Sequence, residues 1–331
     1  MLIAGALAAA SCGSGGAAVS VPLRLRGAQG SRAGVQALVE VRVGDGPEVP
    51  VVLDTGSIGL HIYPQAVDLR AGSGVTPTGQ PTSITYVDGE QQTGTLATAR
   101  ISIGGVTTAT AVPFGIISSL TCTAEKPRCP AQGGIAAAVA AGRYGVLGIG
   151  LGRRDPSTPP NPLLYLPDPY RRSWSISLNP PGGRLVLGAQ ASQRPAAVIR
   201  LPREADPANG GKAFDDHAAH VCWRIGGLSS CQPTLFDSGE FTMQVFGGRL
   251  GAGWSALGTA TRVPAGARVA ASLRTGDGPF WSFTAGRAPS ANLVVAHAQG
   301  RGAVNTGVAA FFAFAVLYDA VDGVIRLEPR R

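Results

Sequence analysis

Two short motifs constrain this chain more than any other feature. Asp54-Thr55-Gly56 ends the apolar run Val49-Pro-Val-Val-Leu53, and Asp237-Ser238-Gly239 ends Gln232-Pro-Thr-Leu-Phe236. They stand 183 positions apart in a chain of 331 residues. One such tripeptide is cheap, arising about once per thousand positions at average composition. Two in matching context, half a chain apart, call for a fold in which each half delivers one carboxylate to a common place. Strand ends are stiff, glycine permits a tight turn, and the Thr or Ser hydroxyl can bond across to the opposite motif. Two ordinary strand-to-turn aspartates are the plainer reading, but it leaves the shared context unexplained.

The rest of the chain reads as strands. With 47 glycines, 25 prolines and only 15% charged residues, a helical bundle or coiled coil is excluded, while 44% hydrophobic residues suffice for a large core. The length allows one large domain or two. Ala37–Val43 alternates with the strand period, Ser83–Val87 and Gly94–Ile103 form a hairpin and strand around Asp88-Gly89, and Arg143–Gly150 is a glycine-punctuated apolar run. Trp174–Leu178 and Arg184–Leu187 flank Asn-Pro-Pro-Gly-Gly as a further hairpin, and Ile135–Ala141 is the best short helix. The apolar segment Val308–Tyr318 is too short to span a bilayer as a helix and reads as core leading into a last hairpin, Ala315–Asp319 and Val324–Leu327.

The net charge is +8, but the basic residues are scattered arginines with no basic run, so no nucleic-acid partner is expected. Residues 1–18 read as an export signal or lipoprotein leader. Small residues before Cys12 resemble a lipid-attachment site, and lipidation through Cys12, giving a membrane tether, stands beside ordinary signal cleavage. Export places the protein in the periplasm or at the cell surface, where disulfides persist. Beyond Cys12 four cysteines remain. They allow three connectivities, of which the local pairs Cys122–Cys129 and Cys222–Cys231 are the simplest. A zinc site from His217, His220, Cys222 and Cys231 has the right ligand types in a poor context. No metal and no cofactor is expected.

Five segments in order resemble the pepsin-like aspartic peptidases, over about Ala37 to Pro329. These are Val51-Val-Leu-Asp-Thr-Gly-Ser57, the flap-like Ser83–Gly94 with Ile101–Gly105, Tyr144–Gly150, Gly183–Gly188 and Leu317–Pro329. The resemblance implies an all-β, bilobal acid-protease fold, two β-barrel-like lobes flanking a cleft, divided as 19–180 and 181–331. It implies catalytic Asp54 and Asp237, supported by Thr55, Gly56, Ser57, Ser238 and Gly239, with Tyr86 as flap tyrosine. His61 would be either a donor to Tyr86 or a surface histidine. The implied activity is endopeptidase hydrolysis of protein or peptide substrates by water activated between two aspartates, greatest in acid, in a monomer.

Two departures lie in the second half. Glu240 stands where the family usually has Thr or Ser, bringing a third carboxyl that would either repel the pair or donate to it. Asn305-Thr306-Gly307 replaces a segment of two hydrophobic residues and glycine, retaining only Gly307. They motivate the alternative of a weak or inactive relative that binds peptides or inhibits another enzyme. Other chemistries lack their motifs: there is no Gly-x-Ser-x-Gly elbow, no His-Glu-x-x-His and no dinucleotide fingerprint, and Gly145–Gly152 lacks the lysine and helix of a phosphate loop.

Overall fold

The computed structural model describes residues 17–27, 35–152, 155, 157–206, 211–254, 260–287 and 292–330. Cys12 and residues 1–16 of the expected leader lie outside the described residues.

The chain is mainly β, as its turn-rich composition requires. Among the described residues, strands gather into a 15-stranded sheet, an 8-stranded sheet and a small hairpin, Arg203–Asp206 with Gly211–Phe214. Burial alternates only in the second half of Gln36–Val43, whose residues 37–39 are all buried, and Gly145–Ile149 is wholly buried, since a strand covered on one face alternates and one covered on both does not.

One arrangement occurs twice. Glu48–Asp54 runs parallel to Gly145–Ile149, which is antiparallel to Ile58–Ile62, itself parallel to Val112–Cys122. In the second sheet Leu228–Leu235 runs parallel to Ala303–Asn305, which is antiparallel to Met243–Phe246, itself parallel to Val294–His297. Each Asp motif leaves the first strand of its set.

The 15-stranded sheet takes in strands from both ends of the chain. Val19–Arg26 pairs with Gly182–Leu187, Ser173–Asn179 joins Gly182–Leu187 to Phe314–Asp319, and Phe314–Asp319 pairs with Val324–Pro329. Residue 180 therefore falls in the turn of a hairpin. The segment Val308–Tyr318 is core, but its first part is a short helix, Ala309–Ala313, before the strand begins. Trp174 stacks on Tyr318, with ring centroids 6.3 Å apart, and one continuous apolar cluster runs from Val21 to Leu327. No helix among the described residues is long and apolar enough to cross a membrane.

Both local cysteine pairs close. Cys122 and Cys129 bridge a loop, and Cys222 and Cys231 face each other across adjacent strands. The thiols of the considered zinc set are thus bonded to each other.

Candidate active site

The two motifs meet. Asp54 is the last residue of its strand, and Asp237 follows Leu235 by two residues. Each turn folds back on its own carboxylate: the Gly56 N–H donates to Asp54 Oδ1 and the Gly239 N–H to Asp237 Oδ1, both at 2.8 Å. The middle residues then bond crosswise. The Thr55 N–H donates to Ser238 Oγ at 3.1 Å and the Ser238 N–H to Thr55 Oγ1 at 2.9 Å. Their hydroxyls donate onward, Thr55 to the Phe236 carbonyl and Ser238 to the Leu53 carbonyl, each at 2.7 Å. Both side chains are fully buried, and the N–H and hydroxyl of each has a protein partner in place of water.

Glycine is required here by close approach. A methyl group on Gly56 would lie 2.6 Å from Asp237 Oδ2. One on Gly239 would lie 2.4 Å from Asp54 Oδ1 and 3.2 Å from Asp237 Oδ1. Each carboxyl thus rests on the glycine of the opposite motif, and their oxygens flank one point. Burial, and next the charge of Asp237, hold the Asp54 carboxyl well above the usual carboxylate range. The two carboxyls are only 6% and 7% exposed.

The carboxyls open onto a cavity of about 610 Å³ whose walls include Ile84, Tyr86, Val146, Glu240 and Asn305. Tyr86 stands at the tip of the hairpin Thr76–Thr85/Glu90–Ala99, where its N–H donates to the Glu90 carbonyl at 2.8 Å. Its hydroxyl is buried without a hydrogen-bond partner among the described residues.

His61 differs from both expectations. It is fully buried, and neither ring nitrogen has a hydrogen-bond partner among the described residues, so it is neither a surface histidine nor a donor to Tyr86. The cause is its strand, Ile58–Ile62, which lies between Gly145–Ile149 and Val112–Cys122 and turns His61 toward Gly115. Burial pushes the imidazole down to about 4, so it is neutral at ordinary pH.

The Glu240 carboxyl bonds to Thr242 and makes no hydrogen bond to the Asp pair. The residue's N–H reaches Asp237 Oδ1 at 3.3 Å, while its Oε1 accepts from the Thr242 N–H at 3.0 Å and the Thr242 hydroxyl at 3.2 Å. Burial raises its pKa. The outer oxygens are served differently in the two motifs. Ser57 Oγ donates to Asp54 Oδ2, whereas Asp237 Oδ2 accepts from Asn305 Nδ2 at 2.7 Å.

A family model for the PE-PGRS C-terminal aspartyl peptidase-like domain matches residues 19–321, which include both Asp motifs and the hairpin bearing Tyr86. The chain belongs to this aspartyl peptidase-like family. A search of curated proteins gives no match.

In this aspartyl peptidase-like chain, several site neighbours escape a reading of the sequence. Tyr318 donates its hydroxyl to the Phe236 carbonyl at 2.8 Å, beneath the second motif. Arg143 and Glu90 form a nearly unexposed ion pair at 2.8 Å behind Tyr86. Each pair is distant in sequence, and only strand register brings it together. The one available hint is the aromatic Tyr318 near the turn of the closing hairpin.

Proposed function

We propose that this protein is an aspartic endopeptidase of pepsin-like, bilobal architecture, with Asp54 and Asp237 as its catalytic pair. The reading rests above all on the reciprocal seating of the two carboxyls, each against the glycine of the opposite motif. The repeated four-strand arrangement supports assigning one aspartate to each lobe, 19–180 and 181–331, with a cleft between them.

The chemistry follows from two carboxyls that share one proton. The ionised member takes a proton from a water held between them, and the hydroxide adds to the carbonyl carbon of the scissile peptide. The protonated member donates to the carbonyl oxygen as it gains charge. When the tetrahedral adduct collapses, the C–N bond breaks and the leaving nitrogen receives a proton from the pair. This acid–base logic of aspartic proteases is the general one for such dyads. Asp237 accepts from the Gly239 and Glu240 N–H groups and from the Asn305 carboxamide. The crosswise Thr55 and Ser238 bonds fix the geometry, and Tyr86 with its hairpin closes over the substrate.

The substrate is a protein or peptide chain in extended form, and the protein acts as a monomer. Export through the leader, to the periplasm or cell surface, is part of the same proposal, with Cys12 as a tether.

The test is digestion of denatured casein between pH 3 and 7 by the intact protein and by Asp54→Asn, with fragments read by mass spectrometry. Acid-favoured cleavage that disappears in Asp54→Asn is the expected result. Cleavage that persists unchanged in the variant would refute the assignment.

A further inference from the structure

The two motifs are near copies except at one point. In both, the glycine N–H holds the inner oxygen at 2.8 Å, and the middle residues exchange bonds. In the first, the residue after glycine, Ser57, supplies a hydroxyl to the outer oxygen. In the second, that position is Glu240, which sends only its backbone N–H, to the inner oxygen, and turns its carboxyl to Thr242. The outer oxygen is met instead by the carboxamide of Asn305, from a different strand 68 positions away.

Asn305 is built for that contact. It is 7% exposed and ends the strand Ala303–Asn305, paired with Leu235, two residues before Asp237. The corresponding position in the first set is Val146, paired with Val52, two residues before Asp54. An apolar side chain suffices there because Ser57 is present. The orientation of the amide is fixed from its other end, because Asn305 Oδ1 accepts the Gly307 N–H at 2.9 Å, leaving Nδ2 to face Asp237.

We propose that Asn305 is the positioning residue of the second catalytic aspartate, taking over by carboxamide the part that Ser57 plays by hydroxyl for the first. A carboxamide can donate to the carboxylate but cannot ionise, so Asn305 keeps the same donor on the outer oxygen of Asp237 at any pH and fixes the plane of its carboxyl. Asn305, which marks a departure in sequence, is thereby a compensation for Glu240. The inference rests on the dyad mechanism proposed above.

The titratable groups facing Asp237 are Asp54 from the opposite motif, Glu240 from its own turn and Tyr318 from the strand Phe314–Asp319. Tyr86 and His217 stand on the cleft wall. Asn305→Leu removes the donor at similar volume and changes none of them. Against a defined peptide, kcat should fall about 10- to 100-fold with KM within about twofold, since the lost bond is a charge-assisted one. The acid limb of the pH profile should move up by about one unit, because a donor to the charged form no longer opposes protonation.

Asn305→Asp is the second variant and carries the test if the leucine protein does not fold. Its deficit should be smallest in acid, where the new carboxyl is protonated and donates, and should grow as pH rises. Carbon-13 carboxyl NMR reads the lower apparent pKa of the pair in wild type and variants whether or not peptide is cleaved. A wild type that cleaves nothing would therefore overturn the peptidase reading alone, while the NMR shift still decides the role of Asn305. An unshifted acid limb and pair pKa in folded Asn305→Leu, or a loss confined to KM, would overturn the inference. So would an Asn305→Asp deficit that does not vary with pH.

Discussion

At Gly239 a single methyl group decides the geometry of the site. The approach of 2.4 Å to Asp54 Oδ1 leaves no room for a side chain, so Gly239→Ala must push the two carboxyls apart. Misplacing reacting groups by about 1 Å costs on the order of 100-fold in rate. We expect kcat to fall by about that much while thermal unfolding shifts little, which a steady-state assay and a melting curve on the same sample will check. Thr55→Val has the opposite signature. It leaves the buried Ser238 N–H without its acceptor, so urea denaturation should show a loss of about 1–3 kcal/mol. Both aspartates were legible in the sequence because each ends an apolar run and precedes a turn glycine. Asn305 was not, because its partnership depends on the Leu235–Asn305 register. His61 was misread because Ile58-Gly-Leu-His-Ile62 is covered on both faces, and a strand without alternation does not reveal where one polar residue points.

The hairpin that carries Tyr86 depends on a charge pair that it buries. Glu90 opens its second strand and accepts from Arg143 Nη1 at 2.8 and 3.1 Å and from Gln92 Nε2 at 2.7 Å. Removing one partner of such a pair strands the other, a cost of about 3–5 kcal/mol. Arg143→Met should therefore destabilise the protein by that order in urea denaturation, and adding Glu90→Gln should recover part of the loss by removing the stranded charge. A fully additive double variant would show that the two do not interact. Elements of this kind were read well where a pattern existed: the closing hairpin and the strand pair around Pro180-Pro181 lie where their turn residues place them. The helix Ala309–Ala313 lies inside an unbroken apolar run, so periodicity carries no signal there.

For the whole molecule, the contact between the two sheets brings a further pH dependence. Asp216, just before the second sheet, accepts the Leu151 N–H at 2.6 Å from the end of the strand set bearing Asp54. Burial raises its carboxyl from 3.8 to about 6. A carboxyl raised on folding contributes stability that is present below its unfolded pKa and is lost as pH rises through the folded one. Between pH 4 and 7 this group should therefore cost the wild type about 1–3 kcal/mol. Asp216→Asn, which keeps an acceptor for Leu151 and carries no charge, should lack that pH-dependent loss when unfolding free energies are compared at the two pH values.

In the proposed mechanism Asp54 and Asp237 form one acid–base unit. Its most direct measurement is kcat/KM against pH for a defined peptide, with wild type, Asp54→Asn and Asp237→Asn side by side. The account predicts a bell with its maximum in acid for the wild type and a loss of at least about 1000-fold for either variant, since neither aspartate replaces the other. A wild-type profile that keeps rising through neutral pH, or a variant that retains most of its rate, would contradict it.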